Sequence, residues 1–243
     1  MKIAVQYYTL RNDYKTADEF LALFKKVKEL GFEGIEFAGF GGNEPEKIRA
    51  ALDEAGLVAV GAHYGMGNFD TPEKVKETIA VAKTLGAPTI GTGGEPHKTK
   101  EEVDRLCRIF KAANEMGEKE GVKFYYHNHY EEFQIDFDGK LCEDVIAENT
   151  YIQVDTYWSF FAGVDNYKFM TENKDRIVHI HIKDGIDGHP TALGEGNCDL
   201  KAVVKAAEDI GLEWMILEND DPTPSGLEDI ARSMKYIKEN LIF

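Results

Sequence analysis

Four of the seven histidines stand in two close pairs, His127-Asn128-His129 and His179-Ile180-His181. Each pair lies in or at the end of a short run of β-branched and aromatic residues, and residues two apart on a strand share a face. Two further runs of this kind finish in acids: Gln153-Val154-Asp155-Thr156-Tyr157-Trp158 and Leu217-Glu218-Asn219-Asp220. Imidazoles and carboxylates converging from neighbouring strand ends suit Zn2+, Mn2+, Co2+ or Fe2+, and the absence of thiolate argues against a structural zinc site. Any one of these residues alone reads as a hydrogen-bonded rim residue. Four successive strand ends finishing in His, Asp or Glu read as a metal site.

Other residues are candidates for the chemistry around such an ion. His63 follows an apolar strand, where it could contact substrate or cap the strand. Glu36 alternates with Ile35 and Phe37 and so faces opposite to them; a carboxylate facing inward needs a partner. Glu131 and Glu132 follow the first histidine pair, and one of them could be an acid/base or both could be solvated. Lys183, after the second pair, could hold an oxyanion or a substrate hydroxyl, or pair with Asp184. Trp158, Phe160 and Phe161 could wall a sugar ring or simply pack in the core. The loop Leu193-Gly194-Glu195-Gly196-Asn197 is glycine-rich but lacks the lysine of a phosphate loop.

These residues must be positioned by an alternation of strands and helices that runs the length of the chain. Strands are expected at 3–8, 34–37, 57–64, 88–91, 122–127, 151–155, 177–182 and 214–218. Helices are expected at 17–30, 45–55, 72–85, 100–119, 140–147, 166–172, 200–210 and 226–240. Phe20, Leu23, Phe24, Val27 and Leu30 repeat at helical spacing, and Gly31 follows where a left-handed residue ends a helix. Eight strand–helix units in 243 residues match a single-domain (β/α)8 TIM barrel spanning 1–243, whose active site forms at the C-terminal ends of the strands. An open doubly wound sheet would carry a glycine-rich turn after its first strand; Thr9-Leu10-Arg11-Asn12-Asp13 stands there instead.

Composition excludes several function classes. Lys plus Arg number 28 against 44 for Asp plus Glu, a net charge of −16 that repels phosphodiester backbones and anionic lipid. Three cysteines without CxxC spacing fit a reducing compartment. The apolar run at the N-terminus is too short for a secretory leader, and no stretch reaches the ~20 apolar residues of a membrane span. The expectation is a soluble, cytoplasmic protein that binds neither nucleic acid nor membrane. Its oligomeric state, including a homo-oligomer, stays open.

The motifs Gln6-Tyr7-Tyr8-Thr9-Leu10-Arg11, Tyr126-His127-Asn128-His129, Asp155-Thr156-Tyr157-Trp158, His179-Ile180-His181-Ile182-Lys183-Asp184 and Leu193-Gly194-Glu195-Gly196, in this order, resemble the sugar phosphate isomerase/epimerase superfamily of xylose isomerase-like TIM barrels. That superfamily includes inosose dehydratases, hydroxypyruvate isomerases, ketose 3-epimerases, lyases of 3-oxo-glycosides and, more distantly, endonuclease IV. The resemblance implies one divalent metal (Mn2+, Co2+, Zn2+ or Mg2+) held by a Glu, Asp, His, Glu set. Its Asp, His and last Glu fall on Asp155, His181 and Glu218. At the first position His127 replaces the glutamate, with His129 or Glu132 as alternatives.

The expected reaction is isomerisation or epimerisation of a keto-sugar or polyol through proton removal next to a carbonyl, where a metal makes an enediolate accessible. Glu218, Glu132 and His129 are the candidate acid/bases, with Lys183 assisting. His63, Trp158, Tyr7 and Glu36 are the expected contacts of a small sugar or cyclitol. A β-eliminating lyase or dehydratase is the nearest rival. A non-catalytic sugar-binding barrel would bind sugar without metal and be indifferent to Asp155→Ala, and the charge balance argues against a nuclease.

Overall fold

The computed structural model describes residues 1–241. Its eight parallel barrel strands are β1 (Lys2–Gln6), β2 (Gly34–Ala38), β3 (Val58–His63), β4 (Thr89–Gly93), β5 (Lys123–His127), β6 (Tyr151–Asp155), β7 (Ile177–Ile182) and β8 (Trp214–Leu217). Each strand pairs with the next in sequence, and β8 closes on β1 from Lys2↔Trp214 to Val5↔Leu217. Parallel neighbours need crossovers, and these carry the outer layer: α1 (Ala17–Leu30), α2 (Pro45–Ala55), α3 (Pro72–Leu85), α4 (Lys100–Gly117), α5 (Cys142–Asn149), α6 (Thr156–Phe161), α7 (Asn166–Glu172), α8 (Leu200–Asp209) and α9 (Gly226–Asn240). This is the (β/α)8 barrel that the alternation predicts. No helix among the described residues is long and apolar enough to cross a membrane.

Local chemistry sets the helix ends. In α1 the Thr16 hydroxyl accepts from the Glu19 N–H, and Gly31 stops the helix at φ 108°, a left-handed conformation that costs glycine little. Between them Phe20, Leu23, Phe24 and Val27 are buried against the sheet. Burying each such large side chain stabilises the fold by about 1.5–3 kcal/mol. The main apolar core lies between barrel and helices; a separate small cluster of Ala4, Val60 and Ile216, with Trp214 against it, lies apart from it. The strand alternation explains the division. Ile35, Phe37, Phe124 and Tyr126 belong to the main core, whereas Glu36, Tyr125 and His127 alternate with them and face inward. The inner space is tight: a Cβ on Gly91 would stand 2.1 Å from the Tyr125 ring.

Two regions depart from the sequence expectation. The sixth unit carries α6 ahead of α7, where only a loop is expected. Asp155, the last residue of β6, caps α6 by accepting at Oδ1 from the N–H groups of Tyr157 and Trp158, 3.0 Å each. The segment Thr-Tyr-Trp-Ser-Phe-Phe is poor in strong helix formers, so the cap rather than propensity forms it. After β7 a short hairpin pairs Asp184–Ile186 with His189–Thr191. The Asp184 carboxylate accepts from the backbone N–H groups of Gly185, Gly194, Gly196 and Cys198, so the glycine-rich loop wraps around this acid. A Cβ on Gly196 would lie 2.1 Å from Asp184 Oδ1. Asp184 is thus committed to that loop, and Lys183 pairs elsewhere.

Candidate metal centre

The register of β6 and β7 sets Asp155 opposite His181, and Glu218 follows β8 immediately, with its N–H bonded to the Ile182 carbonyl. One ligand atom each from His127, Asp155, His181 and Glu218 lies within 4.8 Å of all the others, and all four residues are buried. Four donors about 2.0–2.2 Å from one ion stand roughly 3–3.5 Å apart. The spacing here, with His127 Nε2 3.9 Å from Asp155 Oδ2 and His181 Nδ1 2.9 Å from Glu218 Oε2, needs little contraction to reach that. Two imidazoles and two carboxylates also suit a borderline divalent ion. The donor set therefore fits a metal. His129 and Glu132 lie outside this cluster.

Beneath the cluster, Glu36 is completely buried and its oxygens accept four hydrogen bonds. The donors are Gln6 Nε2 at 2.7 Å, Gln153 Nε2 at 2.8 Å, His181 Nε2 at 2.5 Å and the Tyr125 hydroxyl. Burial alone would raise its pKa; His63 and His181 reverse this and hold it well below the ordinary carboxylate range. His181 is clamped between Glu36 at Nε2 and Glu218 at Nδ1. Burial opposes its charge, but Glu218 and Glu36 outweigh it and lift the ring from 6.5 to about 10. With both nitrogens facing carboxylates it is an imidazolium at neutral pH. His127, by contrast, is kept well below the usual histidine range by burial and by the neighbouring His181 charge, and is neutral.

Lys183 enters the same space. Its side chain is fully buried, and Nζ lies 3.1 Å from both Asp155 Oδ2 and Glu218 Oε2 and bonds Asp220 Oδ2. Burial disfavours the ammonium, but Asp155, Glu218 and Asp220 together hold its pKa above the ordinary lysine value. Burial likewise raises Glu218, yet His181 and Lys183 outweigh it and keep that carboxyl well below its usual range. Trp158 borders the mouth, its indole 5.3 Å from Lys183 Nζ and its Nε1 3.3 Å from Asp220 Oδ2.

The remaining expected residues divide. His63 lies at the site, with Nε2 3.0 Å from Gln153 Oε1, and His129 is half-buried with its ring 5.0 Å from that of His127. Glu36 supports His181 from below rather than standing at the open mouth. Tyr7 faces the helical layer: its hydroxyl bonds the Phe20 carbonyl and its ring packs on Phe20, Phe24 and Phe37. The chain leaves β1 through a 3-10 turn at Tyr7–Leu10, which swings Tyr7 outward. Glu132 is buried behind the site with Oε1 on the Tyr126 hydroxyl at 2.7 Å and Oε2 on the His129 N–H at 3.0 Å, so it braces the loop. Sequence reasoning missed Gln6, Tyr125, Gln153 and Asp220. For Gln153 a signal existed, since it precedes Asp155 by two residues and shares its face.

With the barrel and its strand-end cluster in view, similarity to known proteins can be placed. The profile of the xylose isomerase-like TIM barrel family matches residues 24–240. The chain belongs to that family. An inosose dehydratase of Lactiplantibacillus plantarum is 23% identical, over 90% of this chain and 88% of that protein. One from Geobacillus thermodenitrificans is 25% identical, over 86% and 85%. The crystal structure of a sugar phosphate isomerase/epimerase from Parabacteroides distasonis superposes with a TM-score of 0.83 at 22% identity, over 99% of this chain and 98% of that one. This structural likeness shows the xylose isomerase-like fold.

Proposed function

We propose that this chain is a divalent-metal-dependent enzyme that removes a proton from the carbon beside a carbonyl of a keto-sugar or keto-cyclitol and then eliminates a β-oxygen substituent. His127, Asp155, His181 and Glu218 would hold the ion, with Glu36 keeping the outer N–H of His181, the usual support of a metal-bound imidazole. When bound, the ion supplies Lewis-acid polarisation of the substrate carbonyl and so acidifies the neighbouring C–H.

One observation carries the assignment of the base. Glu218 meets both His181 and Lys183 through Oε2, and Oε1 makes no hydrogen bond to any described residue. Asp155 spends Oδ1 on the α6 cap and Oδ2 on Lys183, while Glu36 and Glu132 are saturated. Glu218 Oε1 is the carboxylate oxygen available to take a proton. As that proton leaves, the C–H electron pair forms the enolate, the bond from the next carbon to its oxygen breaks, and the departing oxygen takes a proton from His129. The net change is loss of water or an alcohol, with no oxidation. Lys183 offers positive charge to the enolate oxygen. With Asp155 and Glu218 committed to an ion, Lys183 would lose its pairing with both, and Asp220 would be the partner that retains it. Trp158 presents a flat face on which C–H groups of a ring pack.

This reverses the order of outcomes expected from the sequence. Epimerisation needs a second proton carrier on the opposite face, and His127 stands where the resemblance puts a second glutamate. The inosose dehydratases, similar over most of the chain, support the same order. Isomerisation is the second reading, with His129 as the group that returns the proton. The test is a panel of keto-cyclitols and 3-oxo-glycosides incubated in D2O with Mn2+-loaded protein. Elimination yields an unsaturated ketone absorbing in the ultraviolet, abolished by chelation and restored by Mn2+ or Co2+. A deuterium-labelled isomer without that product establishes the second reading, and activity indifferent to chelation contradicts the metal.

A further inference from the structure

The polar column inside the barrel carries a fixed direction of hydrogen bonding. It starts at Thr89, whose single hydroxyl proton goes to the Val60 carbonyl at 2.8 Å. Its oxygen therefore accepts from His179 Nε2 at 3.0 Å, which makes Nδ1 of that ring an acceptor. The group facing this nitrogen at 2.8 Å is Gln153 Nε2. A second constraint reaches the same amide from the other side. Glu36 is acceptor-only when ionised and faces Gln153 at 2.8 Å, so it too demands the amide nitrogen. Both N–H bonds of Gln153 are thereby spent, and its Oε1 has only donors to receive. The two that reach it, at 3.0 Å each, are His63 Nε2 and His127 Nδ1.

We propose that Gln153 is a positioning residue that fixes His127 as the Nδ1–H tautomer, so that its Nε2 lone pair faces the cation pocket. The other tautomer would set the Gln153 oxygen against an imidazole lone pair, and it would put a proton on Nε2, which lies 3.9 Å from Asp155 Oδ2, too far for a hydrogen bond. Two acceptors in contact are unfavourable. The fixed end of this relay is the Val60 carbonyl in β3, so the ligand atom on β5 is chosen by groups on β2, β3, β4, β6 and β7. The inference deepens the metal reading and rests on it only for the consequence at the ion.

The test is 15N NMR of the histidine rings in metal-free protein, with the His127 signals assigned by their loss in His127→Gln. The expected result is a lone-pair nitrogen at Nε2 and a protonated Nδ1. Gln153→Met, which removes both amide functions at similar volume, is expected to give a tautomer mixture and to weaken Co2+ binding about 10- to 100-fold. If Gln153→Met fails to fold, Thr89→Val combined with Glu36→Gln releases both constraints on the Gln153 amide, and the His179 and His127 nitrogen signals are expected to move together. A native His127 protonated at Nε2 overturns the inference, as do His127 signals unmoved by the folded variant. The expected tautomer without Co2+ binding supports the relay and contradicts the metal reading, so the two fail separately.

Discussion

Glu218→Gln is expected to lower turnover by about 10²- to 10⁴-fold, the usual contribution of a positioned general base. An amide accepts no proton at Oε1, yet its carbonyl can still receive the His181 and Lys183 hydrogen bonds now made to Oε2. The variant should therefore fold, melting several degrees below wild type because one charge leaves the buried pairs with His181 and Lys183, while losing exchange of the substrate α-proton in D2O to the same extent as product formation. Glu132→Gln is the contrast. Its carboxylate holds the Tyr126 hydroxyl and the His129 N–H, so its loss should lower the melting temperature without abolishing α-proton exchange. Equal exchange rates in Glu218→Gln and wild type would remove Glu218 from the role of base.

The second large effect is on stability. Glu36→Leu deletes the acceptor of four buried donors and leaves the His181 imidazolium with Glu218 alone. Breaking a buried ion pair from one side costs about 3–5 kcal/mol, which for a chain of this length corresponds to roughly 6–20 °C in melting temperature. The pH dependence follows from the same pair. His181 rises from 6.5 to about 10 on folding, so its contribution is complete below 6.5 and is lost as pH climbs through 10. Metal-free wild type should lose stability over that interval, and Glu36→Leu should show a shallower loss. Calorimetric melts across the range check both, and identical slopes would detach the stability from this pair.

Much of the barrel was legible in the sequence because apolar spacing, caps and Gly stops agreed from unit to unit. In β7, the alternation of His179 and His181 with Ile180 and Ile182 already separated the inner face from the outer. Helix α6 escaped because a side-chain cap from Asp155, rather than composition, forms it. The acids and imidazoles of the candidate centre were readable because such groups rarely end four adjacent strands by accident. The polar floor was not: Gln6, Tyr125 and Gln153 are unremarkable in a strand until closure of the ring brings them around Glu36. Tyr7 and Glu132 show the opposite error. Tyr7 belongs to a motif segment and Glu132 follows one, but the 3-10 turn after β1 sends Tyr7 to the Phe20 carbonyl, and the tight loop after β5 sets Glu132 on the Tyr126 hydroxyl and the His129 N–H.

The most direct measurement is anomalous diffraction at the cobalt edge from crystals of Co2+-loaded protein, with metal content determined on the same preparation. One Co2+ per chain, bounded by His127, Asp155, His181 and Glu218, is the predicted result. A preparation without bound cobalt, or a peak elsewhere while Lys183 still bridges Asp155 and Glu218, would contradict the account.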